Sequence, residues 1–364
     1  MSSADKKKPV VLHIGDAIKH NPEIYRRLES EFTIIRPAAG ERQREPFLQA
    51  LRDRKWGDFD AVLRPFWNTG GEMGRWDAEL IPLLPESLKI YASAGAGYDW
   101  ADVDIMAEHG IIYCNGAQAS SEAVADMAIF HILSVFRNLA WSQAAARSGD
   151  PEQWTEAHKY ATMTAHNPRG HVLGIVGLGN IGSAIGRKAA ACFGMAVRYH
   201  DVERKAAAHE AAAGGAAFDA ELDALLAAAD CVVLAAPFAG AVLIGAAQLA
   251  RFKRGARFVN VARGALVDED ALVAALESGR LHAAGLDVFQ HEPRVHPRLC
   301  RMRNVTLTCH NAGGAIETNI GFERLAMENV EAFFLRGQAL TPVNAHLLKN
   351  TSAEPAVGNG VVNK

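Results

Sequence analysis

Three short segments late in the chain carry a guanidinium, a carboxylate and an imidazole. They are Val259-Asn260-Val261-Ala262-Arg263-Gly264, Leu286 to Pro293 with Glu292, and Thr308 to Gly314 with His310. Reduction of a keto acid by hydride needs a proton for the carbonyl oxygen and a cation for the carboxylate. Histidine can supply the first and arginine the second, while a neighbouring glutamate keeps the imidazole protonated. Taken singly, each has an ordinary alternative: Arg263 as a solvated strand-end charge, His310 as one of 14 histidines, Glu292 before Pro293 as a turn residue. Their order behind a glycine-rich turn is what makes them a set.

That turn is Gly177-Leu178-Gly179-Asn180-Ile181-Gly182, between the apolar run Val172–Val176 and a helical pattern reaching Cys192. Glycines at these places allow a tight turn, backbone approach to a pyrophosphate, and close packing of helix on strand. The helix N-terminus then offers amides and a positive dipole end to the phosphates. Asp201 follows the next apolar run, 19 residues after Gly182. Its carboxylate can accept hydrogen bonds from an adenosine ribose and would repel a 2'-phosphate, so NAD is the expected cofactor. Arg204 and Lys205, just beyond, could receive a 2'-phosphate and keep NADP as the alternative.

The elements that must position these groups alternate short apolar runs with amphipathic stretches. The runs Val10–Ile14, Phe32–Ile35, Ala61–Leu63, Leu88–Tyr91 and Ile111–Tyr113 form a first α/β set. A long helical segment, about 120–147, leads through a polar stretch, 148–171, to a second set. These strands are Val172–Val176, Ala196–His200, Cys231–Ala235, Arg257–Val261, His282–Leu286 and Val305–Thr308, with a last helical segment at about 317–336. Continuous apolar runs between helices predict buried parallel strands in doubly wound sheets. The three catalytic segments fall at predicted strand ends, where such sheets bind ligands.

A chain of 364 residues favours two domains, and 49% hydrophobic with 22% charged residues can bury sizeable cores. A net charge of -3 with no long basic stretch argues against nucleic acid as a partner. Cys114, Cys192, Cys231, Cys300 and Cys309 are odd in number and lack CxxC spacing, which points away from disulfides and zinc and toward a reducing compartment. No metal site is expected. The N-terminus does not read as a secretory signal, so a cytoplasmic location is expected. The uncharged stretch Cys231–Ala250 is long enough to span a bilayer, but Pro237, Gly240 and Gly245 interrupt it, and a buried strand, a loop and a short helix explain it better.

With these motifs in place, the chain resembles the D-isomer-specific 2-hydroxyacid dehydrogenase family over nearly its whole length. The matching pieces are Gly95-Ala96-Gly97-Tyr98-Asp99, the glycine turn with Asp201, Asn260 to Asp268, Gly285 to Pro293, and His310 with its small-residue tail. Ala165 to Gly170 and Phe322-Glu323-Arg324-Leu325 look most like the fungal D-mandelate dehydrogenase branch. The resemblance implies two Rossmann-like or flavodoxin-like domains with parallel sheets. In it a dinucleotide-binding domain (120–317) is inserted into a split substrate domain (1–119 plus 318–364). It also implies a homodimer joined through the long helix and an arm, about 120–170. In such enzymes the amides matching Ala96 and Gly97 hold the substrate carboxylate with Arg263, and His310, oriented by Glu292, passes the proton. Asp287 would contact the nicotinamide carboxamide and Pro237 would lie near the cofactor.

The chain departs from the family in a shortened loop, Phe238-Ala239-Gly240-Ala241-Val242, and in Cys309 where a proline is common. Phe66, Trp67, Tyr98 and Trp100 are candidates to line a pocket for a bulky 2-keto acid such as phenylglyoxylate, and equally candidates for domain core. Glyoxylate or hydroxypyruvate reduction is the enzymatic alternative. A cofactor-sensing interaction protein resembling transcriptional corepressors is the alternative of another class.

Overall fold

The structure, a computed structural model, describes residues 7–66, 70–238 and 240–348. Lys6, Trp67, Ala239 and the segment after Leu348 lie outside the described residues. The chain divides into two compact units, Met1–Gly116 with Ile320–Lys364, and Ala117–Asn319.

The first unit is built on β1 (Val10–His13), β2 (Thr33–Ile35), β3 (Ala61–Arg64), β4 (Ile90–Ser93) and β5 (Ile112–Cys114). They form an all-parallel sheet in the order β2-β1-β3-β4-β5. Successive side chains of a strand point to opposite faces. Leu12, Val62, Tyr91 and Tyr113 therefore enter one apolar cluster, while Val11, Ala61, Ile90 and Cys114 enter another with Ala326, Met327 and Val330 of the last helix. That helix, Ile316–Arg336, and the segment after it are tied into the unit by side-chain amides. Asn329 accepts from the amides of Leu340 and Thr341 at 2.9 and 3.0 Å. Asn344, fully buried, accepts from the Tyr113 amide at 2.8 Å and donates to the carbonyls of Val103 and Ile111.

Aromatic candidates for a substrate pocket belong largely to this unit's core. Phe66 is 5% exposed. Tyr98 and Trp100 are half-buried and pack edge-on or tilted against Tyr113, which itself stacks on Tyr91 with ring centroids 5.2 Å apart.

In the second unit, β6 (Val172–Val176), β7 (Ala196–His200), β8 (Ala217–Phe218), β9 (Cys231–Leu234), β10 (Ala256–Asn260), β11 (Leu281–Leu286) and β12 (Val305–Leu307) make a parallel sheet. Its order is β12-β11-β10-β9-β6-β7-β8. The two-residue β8 is an addition to the strands expected from the sequence. It is too short to leave a periodic signal and pairs only at the sheet edge, on Arg198 and Tyr199.

The helical segment expected at 120–147 is two helices, Ala117–Arg137 and Leu139–Ser148, broken at Asn138. Asn138 takes a left-handed backbone (φ 53°), and its buried side-chain amide donates to Ala161 O and Thr164 Oγ1 at 2.8 and 2.9 Å. Asparagine is among the few residues that tolerate this conformation. The helix Ala117–Arg137 is the one described helix long and apolar enough to cross a membrane. Its Val124, Ala125, Ala128, Ile132, Val135 and Phe136 are buried in the unit's apolar core, so its hydropathy reflects packing against the sheet.

Glu323 organises the turn after β1. Fully buried, its carboxylate accepts from the amides of Lys19, His20 and Asn21 at 2.6, 2.8 and 2.9 Å, and from Asn21 Nδ2 at 3.0 Å. Removing it would strand three backbone donors. Glu323→Ala should lower the free energy of unfolding by about 2–4 kcal/mol. Urea unfolding followed by circular dichroism measures this, and a change below about 0.5 kcal/mol would show that the carboxylate does not organise the turn.

Candidate active site

In the second unit, Gly177 to Gly182 form the turn from β6 into the helix Asn180–Phe193. A Cβ on Gly182 would stand 2.1 Å from the Gly177 carbonyl oxygen, so this contact between helix and turn admits only glycine. A Cβ on Gly179 would instead meet nothing within 4 Å. The helix begins with no side-chain cap on its amides. Open space over an uncapped helix start fits a dinucleotide pyrophosphate.

Asp201 follows β7 and is tied to the same turn. Its Oδ2 accepts from the Leu178 amide at 2.9 Å and lies 3.2 Å from Lys205 Nζ, while Oδ1 accepts from the Val202 amide. Arg204 is engaged elsewhere, with Glu210. Pro237 follows β9 and is exposed. Among the described residues, no group of three or more His, Cys, Asp or Glu side chains is placed to hold a metal.

The three catalytic candidates emerge from neighbouring strands, because β10, β11 and β12 are adjacent in the sheet. Beyond β10, Asn260 pins the loop by donating to the Arg263 carbonyl and accepting from the Ala262 amide, both at 3.0 Å. Arg263 is half-buried, and one of its terminal nitrogens donates to Ala262 O. At Gly264 an added Cβ would come within 1.8 Å of the Phe289 carbonyl carbon. Glycine there lets the Arg263 loop lie directly on the backbone of the Glu292 loop. Glu292 Oε1 accepts from the Phe289 amide at 3.0 Å, and its Oε2 lies 2.7 Å from His310 Nδ1. The carboxylate is thus oriented by its own loop and engages Nδ1 of the ring, so that Nε2 is the nitrogen a proton-transfer role would use.

His310 occupies a left-handed backbone conformation (φ 49°), with its amide donating to Asp287 O at 2.7 Å. Asp287 is 1% exposed. Its carboxylate accepts from Thr308 Oγ1 at 2.6 Å and from the amides of Asn311 and Ala312 at 3.1 and 3.0 Å. Thr308 Oγ1 in turn lies 3.0 Å from Nε2 of His131, a fully buried residue of the helix Ala117–Arg137. Because the hydroxyl donates to Asp287, the imidazole Nε2 donates to the hydroxyl. Ala96 and Gly97 belong to the first unit, in the turn after β4, where Asn115 Nδ2 donates to Ala96 O at 2.8 Å.

Sequence reasoning missed Thr308 and His131. Thr308 was within reach, since it leaves β12 beside the residue that leaves β11, in the register Leu286↔Leu307. His131 carried no signal, because nothing in its local pattern reveals which strand its helix packs upon.

Residues 129–312 match the family model described as D-isomer specific 2-hydroxyacid dehydrogenase, NAD binding domain. A 4-methyl-2-oxopentanoate reductase A of Aspergillus oryzae is 35% identical over 92% of this chain and 98% of its own length. The holo form of Rhodotorula graminis D-mandelate dehydrogenase superposes with a TM-score of 0.88 at 43% identity, over 93% of this chain and 98% of that one. An NADPH-dependent glyoxylate/hydroxypyruvate reductase from Sinorhizobium meliloti, in complex with NADP and malonate, superposes at 0.72 with 30% identity, over 96% and 100% of the two chains.

Burial lowers the His131 imidazole from 6.5 to about 4, against the opposing pull of Asp287. As pH falls below 6.5 the unfolded chain takes up a proton there while the folded chain does not, so stability is lost toward acid. Between pH 7 and 5 this ring alone should cost about 2 kcal/mol. His131→Gln keeps a donor for Thr308 and cannot titrate. Its stability should therefore fall by about 2 kcal/mol less than the wild type's over that interval in urea unfolding; parallel losses in the two proteins would refute the assignment.

Proposed function

Since this chain belongs to the D-isomer specific 2-hydroxyacid dehydrogenase family and carries its NAD-binding domain, we propose that it interconverts a bulky 2-keto acid, such as phenylglyoxylate, and the D-2-hydroxy acid. The observation that carries this reading is the 2.7 Å pairing of His310 Nδ1 with Glu292, whose loop packs on the one that bears Arg263. The bound nicotinamide supplies the hydride to the keto carbon, or accepts it in the reverse direction. His310 gives its Nε2 proton to the carbonyl oxygen as that oxygen becomes an alkoxide, and takes it back in oxidation. Glu292 holds the ring in the orientation that points Nε2 outward. Arg263 binds the substrate carboxylate by charge-assisted hydrogen bonds.

In the first unit the turn after β4 offers the amides of Ala96 and Gly97 to an anion. Gly177, Gly179, Asn180, Ile181 and Gly182 receive the pyrophosphate, and Asp201 the adenosine ribose. Pro237 borders the cofactor. Asp287, buried under the His310 loop, acts chiefly by holding that loop in this reading, with any contact to the carboxamide secondary. The similarity to D-mandelate dehydrogenase supports a bulky substrate. We place the enzyme in the cytoplasm as a homodimer, with no membrane or nucleic-acid partner. Trp154, Tyr160 and Met163, 53%, 45% and 72% exposed on the arm, support that second copy.

Oxidation of NADH, followed by absorbance across a panel of 2-keto acids, tests the reading. Phenylglyoxylate should give a higher kcat/KM than glyoxylate or hydroxypyruvate, and the reverse order would favour a glyoxylate or hydroxypyruvate reductase. His310→Gln should lower kcat by about 10³-fold, and Arg263→Ala should lower kcat/KM by a similar factor. Both should bind NADH, measured by fluorescence, as the wild type does. Near-native turnover in either variant would remove that residue from the mechanism.

A further inference from the structure

Two cations stand on the turn that follows Asp201, where a 2'-phosphate on the adenosine ribose would arrive, and each is already held by a carboxylate. Lys205 Nζ lies 3.2 Å from Asp201. Arg204 makes a two-pronged contact with Glu210, Nε to Oε1 at 2.9 Å and a terminal nitrogen to Oε2 at 3.1 Å. Glu210 is itself anchored. Its side chain is 12% exposed against 65% for Arg204, and Oε1 also accepts from the Tyr199 hydroxyl at 2.8 Å. That hydroxyl accepts from the Lys205 amide at 2.8 Å, so the clamp closes on the same turn that carries both cations. A forked arginine contact to a carboxylate fixed by a third group has a defined geometry, unlike the mobile pairs common on surfaces.

We infer that Glu210 is a specificity-determining residue that withholds Arg204 from a 2'-phosphate, so the chain carries a latent NADP site closed by its own carboxylate. The inference rests on the proposed dinucleotide site and adds a second basis for preferring NAD. Asp201 repels the 2'-phosphate directly, and Glu210 removes the cation that would offset that repulsion. Arg204 follows Asp201 by three residues on an exposed turn that includes Val202, 95% exposed. Once released, its guanidinium can swing toward the ribose edge and make charge-assisted hydrogen bonds to the phosphate. Glu210 needs no contact with the cofactor to act in this way.

Calorimetric titration with two fragments, 5'-AMP and 2',5'-ADP, isolates the 2'-phosphate from catalysis. Glu210→Gln keeps an oxygen for Tyr199 and loses the charge that holds Arg204. Its affinity for 2',5'-ADP relative to 5'-AMP should rise about tenfold over the wild type, by about 1.4 kcal/mol, and the gain should shrink as salt is raised. Adding Arg204→Leu to Glu210→Gln should abolish the gain. An unchanged preference in Glu210→Gln, or a gain that survives the loss of Arg204, would overturn the inference. Should the Gln variant fail to fold, Glu210→Asp, too short to span the same fork, carries the same test. If the wild type binds neither 5'-AMP nor NADH, the proposed function itself falls. If both bind and only the preference fails to move, this inference falls alone.

Discussion

Asp287 leaves β11 inside the protein, 1% exposed, and receives a hydroxyl and two amides from one loop, residues 308–312. A buried carboxylate is tolerated only when donors converge on it, and here the converging donors all come from the segment that presents His310. The constraint runs both ways. His310 stands in a left-handed conformation (φ 49°), which costs a non-glycine residue about 1 kcal/mol, and its amide is held at 2.7 Å by the Asp287 carbonyl. Without that anchor the loop would relax and the ring would lose its register with Glu292. One buried acidic side chain therefore positions the loop that carries the proposed catalytic ring.

The parallel sheet supplies the rest of the geometry. With β10, β11 and β12 adjacent, the residues after Asn260, Leu286 and Leu307 leave the sheet side by side. Segments far apart in sequence thus reach one place without long side chains. Gly264 removes the last obstacle, because any larger residue would push the Arg263 loop off the Phe289 backbone. The glycine turn after β6 and Asp201 after β7 repeat the arrangement further along the sheet, and the Leu178 amide joins them through Asp201 Oδ2. The segments proposed for cofactor binding and for proton transfer thus leave strands of one parallel sheet.

The strands were largely legible because a parallel strand covered on both faces must be apolar throughout, and Val172–Val176 or Cys231–Leu234 admit little else. The glycine turn was legible because its steric demand acts within six residues. What escaped depended on contacts between distant segments. The break at Asn138 answers acceptors at Ala161 and Thr164, and helical periodicity runs straight through it. The edge strand β8 is too short to carry a pattern. Glu323 reads as one more charge on an amphipathic helix, although it is fully buried and caps a turn some 300 residues earlier. Arg204 and Lys205 read as a possible phosphate site, and only coordinates reveal that each is already engaged by a carboxylate.

Histidine illustrates how environment sorts residues that composition cannot. His13 and His131 are both fully buried, and burial lowers their imidazoles to about 3 and about 4. At neutral pH neither can hold a proton to deliver, so each serves as a neutral hydrogen-bonding group, His13 to Tyr25 and His131 to Thr308. His310 has the opposite setting, with its side chain 43% exposed and one ring nitrogen on a carboxylate. A proton carrier must visit its charged form in every turnover. The surroundings must therefore stabilise that charge while leaving the second nitrogen accessible, and a core position satisfies neither demand. β12 ends before the ring, so that the loop rather than the strand carries it, and Asp287 anchors that loop from beneath.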